Sequence, residues 1–301
     1  MSEIKQTRRA FFKAAGLGAA VLLVPGYEFS AKQKSGNTAA EAAKKPIPKV
    51  GLQLWTIRQA IEQDVGQALR RIAEMGFVGV ETAGLPKHLS HKRVGQELRK
   101  LGLTVLGAHC EIPIGNEKKV WMEIADAYNC RHMVWHGWPG EDRYRSLEKL
   151  KQAVEVYNEA NSFAKSNGLH FGLHNHWWEF EAVEGIIPYY YLLKNLEQDI
   201  FFEIDTYWAK TAGFDPARVV ADFGGRMPFI HIKDGPAPKG KIVREQVPAG
   251  QGTLDFPAIA KAGQAAEWMI VEFDACATDM MEAVHESYRY LTQNGLARGT
   301  V

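Results

Sequence analysis

A chain of 301 residues that is 46% apolar has material for one large α/β barrel or two ordinary domains, with a sizeable core in either case. Lys and Arg number 36 against 35 Asp and Glu, and the resulting net charge of +1 gives no field to draw nucleic acid or an anionic membrane. That points to a small molecule or another protein as the partner. Cys110, Cys130 and Cys276 lie far apart without a C-x-x-C pair, which excludes a zinc cage or a disulfide framework and leaves at most one disulfide.

The first residues have a pattern of their own. Thr7-Arg8-Arg9-Ala10-Phe11-Phe12-Lys13 precedes an apolar run from Ala14 to Val24 that Pro25 ends. The run is too short to span a bilayer and has the length of the central region of a signal peptide. The arginine pair closely resembles a twin-arginine export signal, which implies a periplasmic protein that crosses the membrane already folded. Residues 1–30 are expected to be that signal peptide, with no stable membrane anchor once it is cleaved. Residues 31–47, rich in Ala, Lys and Ser, read as a polar linker, and residues 48–301 as the folded domain.

From Pro48 a cadence repeats: a short apolar run, a polar turn, then a helical period ending in glycine. Val50–Leu54 reads as a strand and Gly66–Met75 as an amphipathic helix stopped by Gly76. Strands Phe77–Glu81, Leu103–His109 and Met133–His136 come next, each with its helix: Val94–Leu101, Val120–Tyr128 and Ser146–Ser166. The second half gives strands His170–His174, Ile200–Asp205, Pro228–Ile232 and Trp268–Phe273. Its helices fall near Ile186–Leu196, Pro216–Phe223, Phe256–Ala265 and Asp279–Gln293. Eight strands alternating with helices over about 250 residues is the count of a single-domain (β/α)8 TIM barrel. A dinucleotide-binding sheet is disfavoured, because GLQLWT carries one glycine and no G-x-G-x-x-G.

The site of such a barrel lies at the carboxyl ends of its strands. Those ends read Glu81, His109, His136, His174 with His176, Asp205, His231 with Lys233, and Glu272, a set biased toward groups that bind metals or move protons. Alternate strand residues point inward, so Gly172, His174 and His176 share a face, as do Glu203 and Asp205, and Phe229, His231 and Lys233. His174, Asp205, His231 and Glu272 make a mixed nitrogen and oxygen set suited to Mn²⁺, Co²⁺ or Zn²⁺, with positions left for substrate. A lone histidine there is more often a hydrogen-bonded core residue. Four such groups on four consecutive strands favour the metal.

The segments GLQLWTIR, GFVGVETAG, LHNHWWEF, FFEIDTYWAKTAGFDP, RMPFIHIKD, PAGQGTLDFPAI and MIVEFD resemble the xylose isomerase-like TIM barrels of the sugar phosphate isomerase/epimerase type. The resemblance runs from about Pro48 to the C-terminus. It implies a divalent metal held by strands 5 to 8, commonly through Glu, Asp, His and Glu. Asp205, His231 and Glu272 match the last three. At strand 5 this chain departs from the pattern and offers His174, with His176 and Glu179 as rivals.

A metal that chelates neighbouring sugar oxygens acidifies the C–H bond between them and stabilises an enediolate, from which isomerisation, epimerisation or elimination can proceed. Glu272 is the expected ligand and base, with His176, Glu179, His109 or Lys233 as the second acid/base group. The first expectation is a sugar isomerase or epimerase. The alternatives are a lyase of a 3-keto sugar, glycoside derivative or inosose, and an exported sugar-binding protein without chemistry. Trp55, Glu81, His136, Trp177 and Trp208 are expected to contact the carbohydrate, Trp138 and Trp178 also lying near strand ends. No Gly-rich phosphate loop or arginine cluster follows strands 7 and 8, so an unphosphorylated sugar is favoured.

Overall fold

Strand residues in this chain alternate between two burials, one set facing helices and one facing the axis of a closed barrel. The computed structural model describes residues 46–300 apart from positions 139, 141 and 244. The expected signal peptide, and the expected linker up to residue 45, lie outside the described residues. Eight parallel strands close in chain order: β1 (Lys49–Gln53), β2 (Gly79–Thr82), β3 (Thr104–Cys110), β4 (His132–Trp135), β5 (His170–His174), β6 (Phe201–Asp205), β7 (Phe229–Ile232) and β8 (Trp268–Val271), the last pairing with both β7 and β1. The TIM-barrel expectation therefore holds for the described domain.

Val50 and Leu52 of β1, Phe202 and Ile204 of β6, and Ile230 and Ile232 of β7 point out to the helices and join the main core. The axis-facing set at the amino ends is a second apolar plug made of Leu106, Val134, Phe201, Phe229, Trp268 and Ile270. Glycines make room for it. A Cβ on Gly79 would lie 2.6 Å from the Trp268 ring, and one on Gly172 2.3 Å from the Phe201 ring. Toward the carboxyl ends the inward positions turn polar: Phe201, Glu203, Asp205 along β6, and Trp268, Ile270, Glu272 along β8 and just beyond it. The barrel is thus oily at its floor and charged at its mouth.

Two irregularities bear on the site. The β2–β3 register pairs Val80 with Val105 but Glu81 with Gly107, so Leu106 is an extra residue on β3. Such a bulge re-aims the rest of its strand, and here Leu106, Gly107 and His109 all face inward. The first helix, α1 (Arg58–Met75), starts eight positions before the expected Gly66. It is two pieces joined at Asp64, whose φ of −155° and ψ of 100° are not helical. Asp64 accepts from the Gln67 N–H at 2.9 Å and caps the second piece, the one the apolar period marks.

The remaining helices are α2 (His91–Lys100), α3 (Glu117–Tyr128), α4 (Leu147–Ser166), α5 (Pro188–Asn195), α6 (Thr206–Thr211), α7 (Pro216–Phe223), α8 (Phe256–Ala262) and α9 (Met280–Gln293). α6 is absent from the sequence expectation; it begins at once after β6, with the Asp205 side chain as its N-cap. A short parallel pair, Glu245–Gln246 with Ala275–Cys276, is a further addition. All three cysteines are free. Among the described residues no helix is long and apolar enough to cross a membrane.

Candidate active site

His231 on β7 is fully buried and shared by three carboxylates. Its Nδ1 lies 2.8 Å from Oε2 of Glu272, and its Nε2 lies 2.8 Å from Oε2 of Glu81 and 3.0 Å from Oε1 of Glu203. The same Glu203 oxygen is 2.8 Å from Nε2 of His109 and 3.0 Å from Nδ1 of His174, though the latter pair lacks hydrogen-bond geometry. Gln53 on β1 donates to Oε2 of Glu81 at 2.7 Å. One ring of side chains from six strands therefore meets at the axis.

Charge sorts the imidazoles. Burial pulls the His109 pKa down, but Glu81 and Glu203 outweigh it and raise it to about 10. His231 is likewise raised against burial by Glu203 and Glu272. His174 goes the other way: burial, then the positive His231, hold it well below its ordinary value. It stands as a neutral nitrogen donor. Burial opposes the ionisation of Glu203, yet His231 and His109 prevail and hold its pKa below the usual carboxylate range.

Just above sits Lys233, 1% exposed, with Nζ 3.1 Å from Oδ2 of Asp205, 3.1 Å from Oε2 of Glu272 and 2.7 Å from Oδ2 of Asp274. Burial disfavours its ammonium, but these three carboxylates raise its pKa well above the ordinary value. Asp205 is pushed up, first by burial and then by the charge of Glu272, with Lys233 opposing. Glu272 is held well below its usual range by Lys233 and His231 in spite of burial. Asp274 owes its place to Gln246 of the short strand pair, which donates to Oδ2 at 3.2 Å and accepts from the Asp274 N–H at 2.8 Å.

The donor set fits a divalent cation. Ligand atoms of His174, Asp205, His231 and Glu272 all lie within 4.8 Å of one another, and those of His109, His174, Glu203 and His231 form an overlapping group. Nδ1 of His174, Oε2 of Glu203 and Oε1 of Glu81 are buried without a hydrogen bond among the described residues, and Oδ2 of Asp205 has the Lys233 ammonium beside it but no hydrogen bond. Buried polar atoms left so are costly unless a cation or water completes them. Mixed imidazole and carboxylate donors are the chemistry of Zn²⁺, Mn²⁺ or Co²⁺ sites.

Beside this cluster a cavity of about 440 Å³ opens at the barrel mouth. Of the expected site residues, Trp55, His109, His136, His174, His176 and Glu272 line it. Glu81, Asp205, His231 and Lys233 lie behind that wall, each 1% exposed or less. Glu81 belongs to the axial network. Glu179 turns away: its Oε2 accepts the His176 N–H at 2.8 Å and anchors the loop that carries His176.

Trp177 and Trp208 are absent from the described residues that line this cavity. α6 turns Trp208 into the core, where its ring covers the Lys233 ammonium at 5.0 Å, and Trp177 packs on Trp208 with centroids 4.9 Å apart. Trp208 is buried and Trp177 partly buried. Gln53, Glu203 and Asp274 belong to the site although the strand ends do not single them out. Of the three only Glu203 carries a signal in the sequence, a polar residue inside a strand on the face of Asp205. Of the described residues that line the cavity none is Lys or Arg, whereas Glu111, Glu117, Glu272 and Asp274 all do.

The sequence pattern of the xylose isomerase-like TIM barrel matches residues 69–293. The chain belongs to the xylose isomerase-like TIM barrel family. Among solved structures it is similar to a sugar phosphate isomerase/epimerase from Parabacteroides distasonis, with 23% identity over 87% of this chain and 98% of the other and a TM-score of 0.70. It is also similar to the zinc-bound IOLI protein (15% identity, 82% and 98% covered, TM-score 0.64). A third is the probable 3-DHS dehydratase AsbF from Bacillus anthracis (12% identity, 81% and 98% covered, TM-score 0.65). Identities this low speak for the shared fold. No curated protein matches the chain.

Proposed function

We propose that this xylose isomerase-like protein is a divalent-metal-dependent isomerase or epimerase of an unphosphorylated sugar or keto-sugar. The carrying observation is the convergence of ligand atoms of His174, Asp205, His231 and Glu272 within 4.8 Å of one another beside a cavity, with Nδ1 of His174 buried without a hydrogen bond. A cation held by these four supplies Lewis acidity, acidifying a C–H bond between adjacent carbonyl and hydroxyl oxygens. Glu272, kept ionised by Lys233 and His231, accepts that proton at its carboxylate. His176 and His109 line the same cavity and return a proton to the neighbouring carbon or the opposite face. The lining carboxylates and the lack of Lys or Arg among the described lining residues disfavour a phosphate group on the substrate.

A second reading, elimination from a 3-keto sugar, glycoside derivative or inosose, is favoured by His174 standing where the family resemblance implies a glutamate. With no second carboxylate at that position, the symmetric exchange of protons between two glutamates is lost, and His109 or His176, which line the cavity, would protonate a departing oxygen. The AsbF likeness agrees with this reading.

The test combines metal analysis with turnover. Wild-type protein is expected to hold one equivalent of Mn²⁺, Co²⁺ or Zn²⁺, and Asp205→Ala and His231→Ala to hold none. In D₂O, isomerisation or epimerisation leaves deuterium in a product of the same connectivity, whereas elimination releases water or an aglycone. Full metal retention in both variants sinks the site. For the N-terminal motif we propose export by the twin-arginine route, supported by Thr7–Lys13. Replacing Arg8 and Arg9 by Lys is expected to leave the protein in the cytoplasmic fraction, and unchanged export would reject that route.

A further inference from the structure

The cavity is larger than its chemistry needs. Its lining divides by element, and His174 and His176 of strand 5 with Glu272 after β8 are the part that belongs to the ligand cluster or stands two residues from it. A volume of about 440 Å³ lies within the roughly 300–1,000 Å³ that takes drug-sized ligands, well beyond one pyranose ring. On the β2–β4 side the lining is a mostly apolar lobe: Ala83 after β2, Cys110 at the end of β3, Val120 and Ile124 of α3, and Trp138 after β4. Its apolar character does not come from core packing alone, since Val120 is 36% and Trp138 52% exposed.

Trp138 is held rather than loose. Its Nε1 donates to Oε1 of Glu111 at 2.9 Å, and its ring stands edge-on to His136 with centroids 4.6 Å apart and planes at 86°. A large exposed indole fixed by a hydrogen bond presents a permanent flat face to whatever enters. Gly84, which also lines the cavity, has open space where a Cβ would stand. On this side Glu111 and Glu117 supply acceptors, and none of the described lining residues is Lys or Arg, so the guest is uncharged or bears hydroxyl donors.

We infer that the substrate is a glycoside of a keto-sugar, its sugar beside the proposed metal ligands and a flat, apolar, uncharged aglycone in the lobe against Trp138, Val120 and Ile124. This rests on the proposed reaction centre for which side takes the sugar, but the lobe's preference is measurable separately. The probes are 4-nitrophenyl β-D-glucopyranoside, methyl β-D-glucopyranoside and cellobiose, titrated by calorimetry into protein of measured metal content. The nitrophenyl glucoside is expected to bind about tenfold more tightly than the methyl glucoside, the effect of one good aromatic contact. Trp138→Ala and Val120→Asp should each abolish that advantage while leaving metal content and methyl glucoside affinity unchanged.

Equal affinity for the two glucosides, binding of neither, or an advantage that survives both substitutions overturns the inference. Tighter binding of cellobiose than of the nitrophenyl glucoside overturns it too, by giving the lobe to a second sugar. Wild-type protein without metal sinks the proposed reaction instead, and the aryl preference is then still read on that protein.

Discussion

Nζ of Lys233 lies 3.1 Å from Oδ2 of Asp205, so the strand-6 carboxylate that faces the candidate metal position already has a cation beside it. Glu272 and Asp274 share that ammonium. Lys233→Met keeps the length of the side chain and removes its charge. Metal-free variant protein is expected to be less stable by about 3 kcal/mol, the cost of leaving buried carboxylates unpaired. Adding Mn²⁺ or Zn²⁺ should then raise its melting temperature by more than it raises that of the wild type, because the carboxylates attract the ion without competition. A smaller metal-induced shift in the variant would reject Lys233 as a competitor and make it a scaffold for the ligands.

At the other end of the barrel, His132 of β4 stacks on His170 of β5, with centroids 5.0 Å apart, and meets Phe201 and Phe229 edge-on. Burial, then His170, lower its pKa to about 4. The unfolded chain, near 6.5, binds a proton more readily than the fold does. Stability from this residue is therefore complete above about pH 6.5 and is lost progressively down to about pH 4, by on the order of 3 kcal/mol. Urea unfolding at pH 7 and pH 4.5 should show the loss, and His132→Gln should flatten it. An equal slope in both proteins would place the acid sensitivity elsewhere.

The features legible in the sequence are those that period and strand ends carry. The inward series His174, Asp205, His231 and Glu272 comes from counting by two along short strands, and glycines such as Gly76, with its φ of 102°, mark helix ends. The place of His109 cannot be counted that way, because the extra residue Leu106 shifts the parity of β3, and a bulge has no reliable signature in one strand alone. α6 is hidden because TYWAKT is too short to show a period, and its Asp205 cap reads equally as a ligand. The two stacked tryptophans look like sugar platforms for the same reason: only the helix after β6 decides which way Trp208 points.

Asp234, directly after Lys233, organises the loop that the run PAGQGTLDF forms. Its Oδ1 accepts from the N–H groups of Gly235, Thr253 and Leu254, and its Oδ2 from those of Gly250 and Gly252, at 2.8 to 3.2 Å. Asp234→Asn is nearly isosteric but must turn an NH₂ toward backbone donors on one side. It is expected to cost about 2–4 kcal/mol, close to Asp234→Ala, since two or more buried N–H groups lose their acceptor either way. Hydrogen exchange should quicken at residues 250–254 in both variants. Wild-type protection in Asp234→Asn would mean that water or a neighbouring carbonyl takes over as acceptor.

Glu203 meets three imidazoles through one oxygen, and its removal separates the pairing of His109 from the rest of the network. In metal-free protein the His109 pKa is raised to about 10, above its unfolded value. Its contribution to stability is thus fully present below about pH 6.5 and disappears as pH rises through about 10. Glu203→Gln leaves only Glu81, 3.2 Å away, to support the charged ring. The variant should be destabilised by a few kcal/mol at pH 7, and its remaining His109 contribution should be lost at a lower pH than in the wild type. The His109 ring proton, monitored by NMR in chelator-treated samples between pH 6 and 11, reads this directly. A His109 titration unmoved by the substitution would assign its raised pKa to Glu81 alone and remove Glu203 from the proton balance of the site.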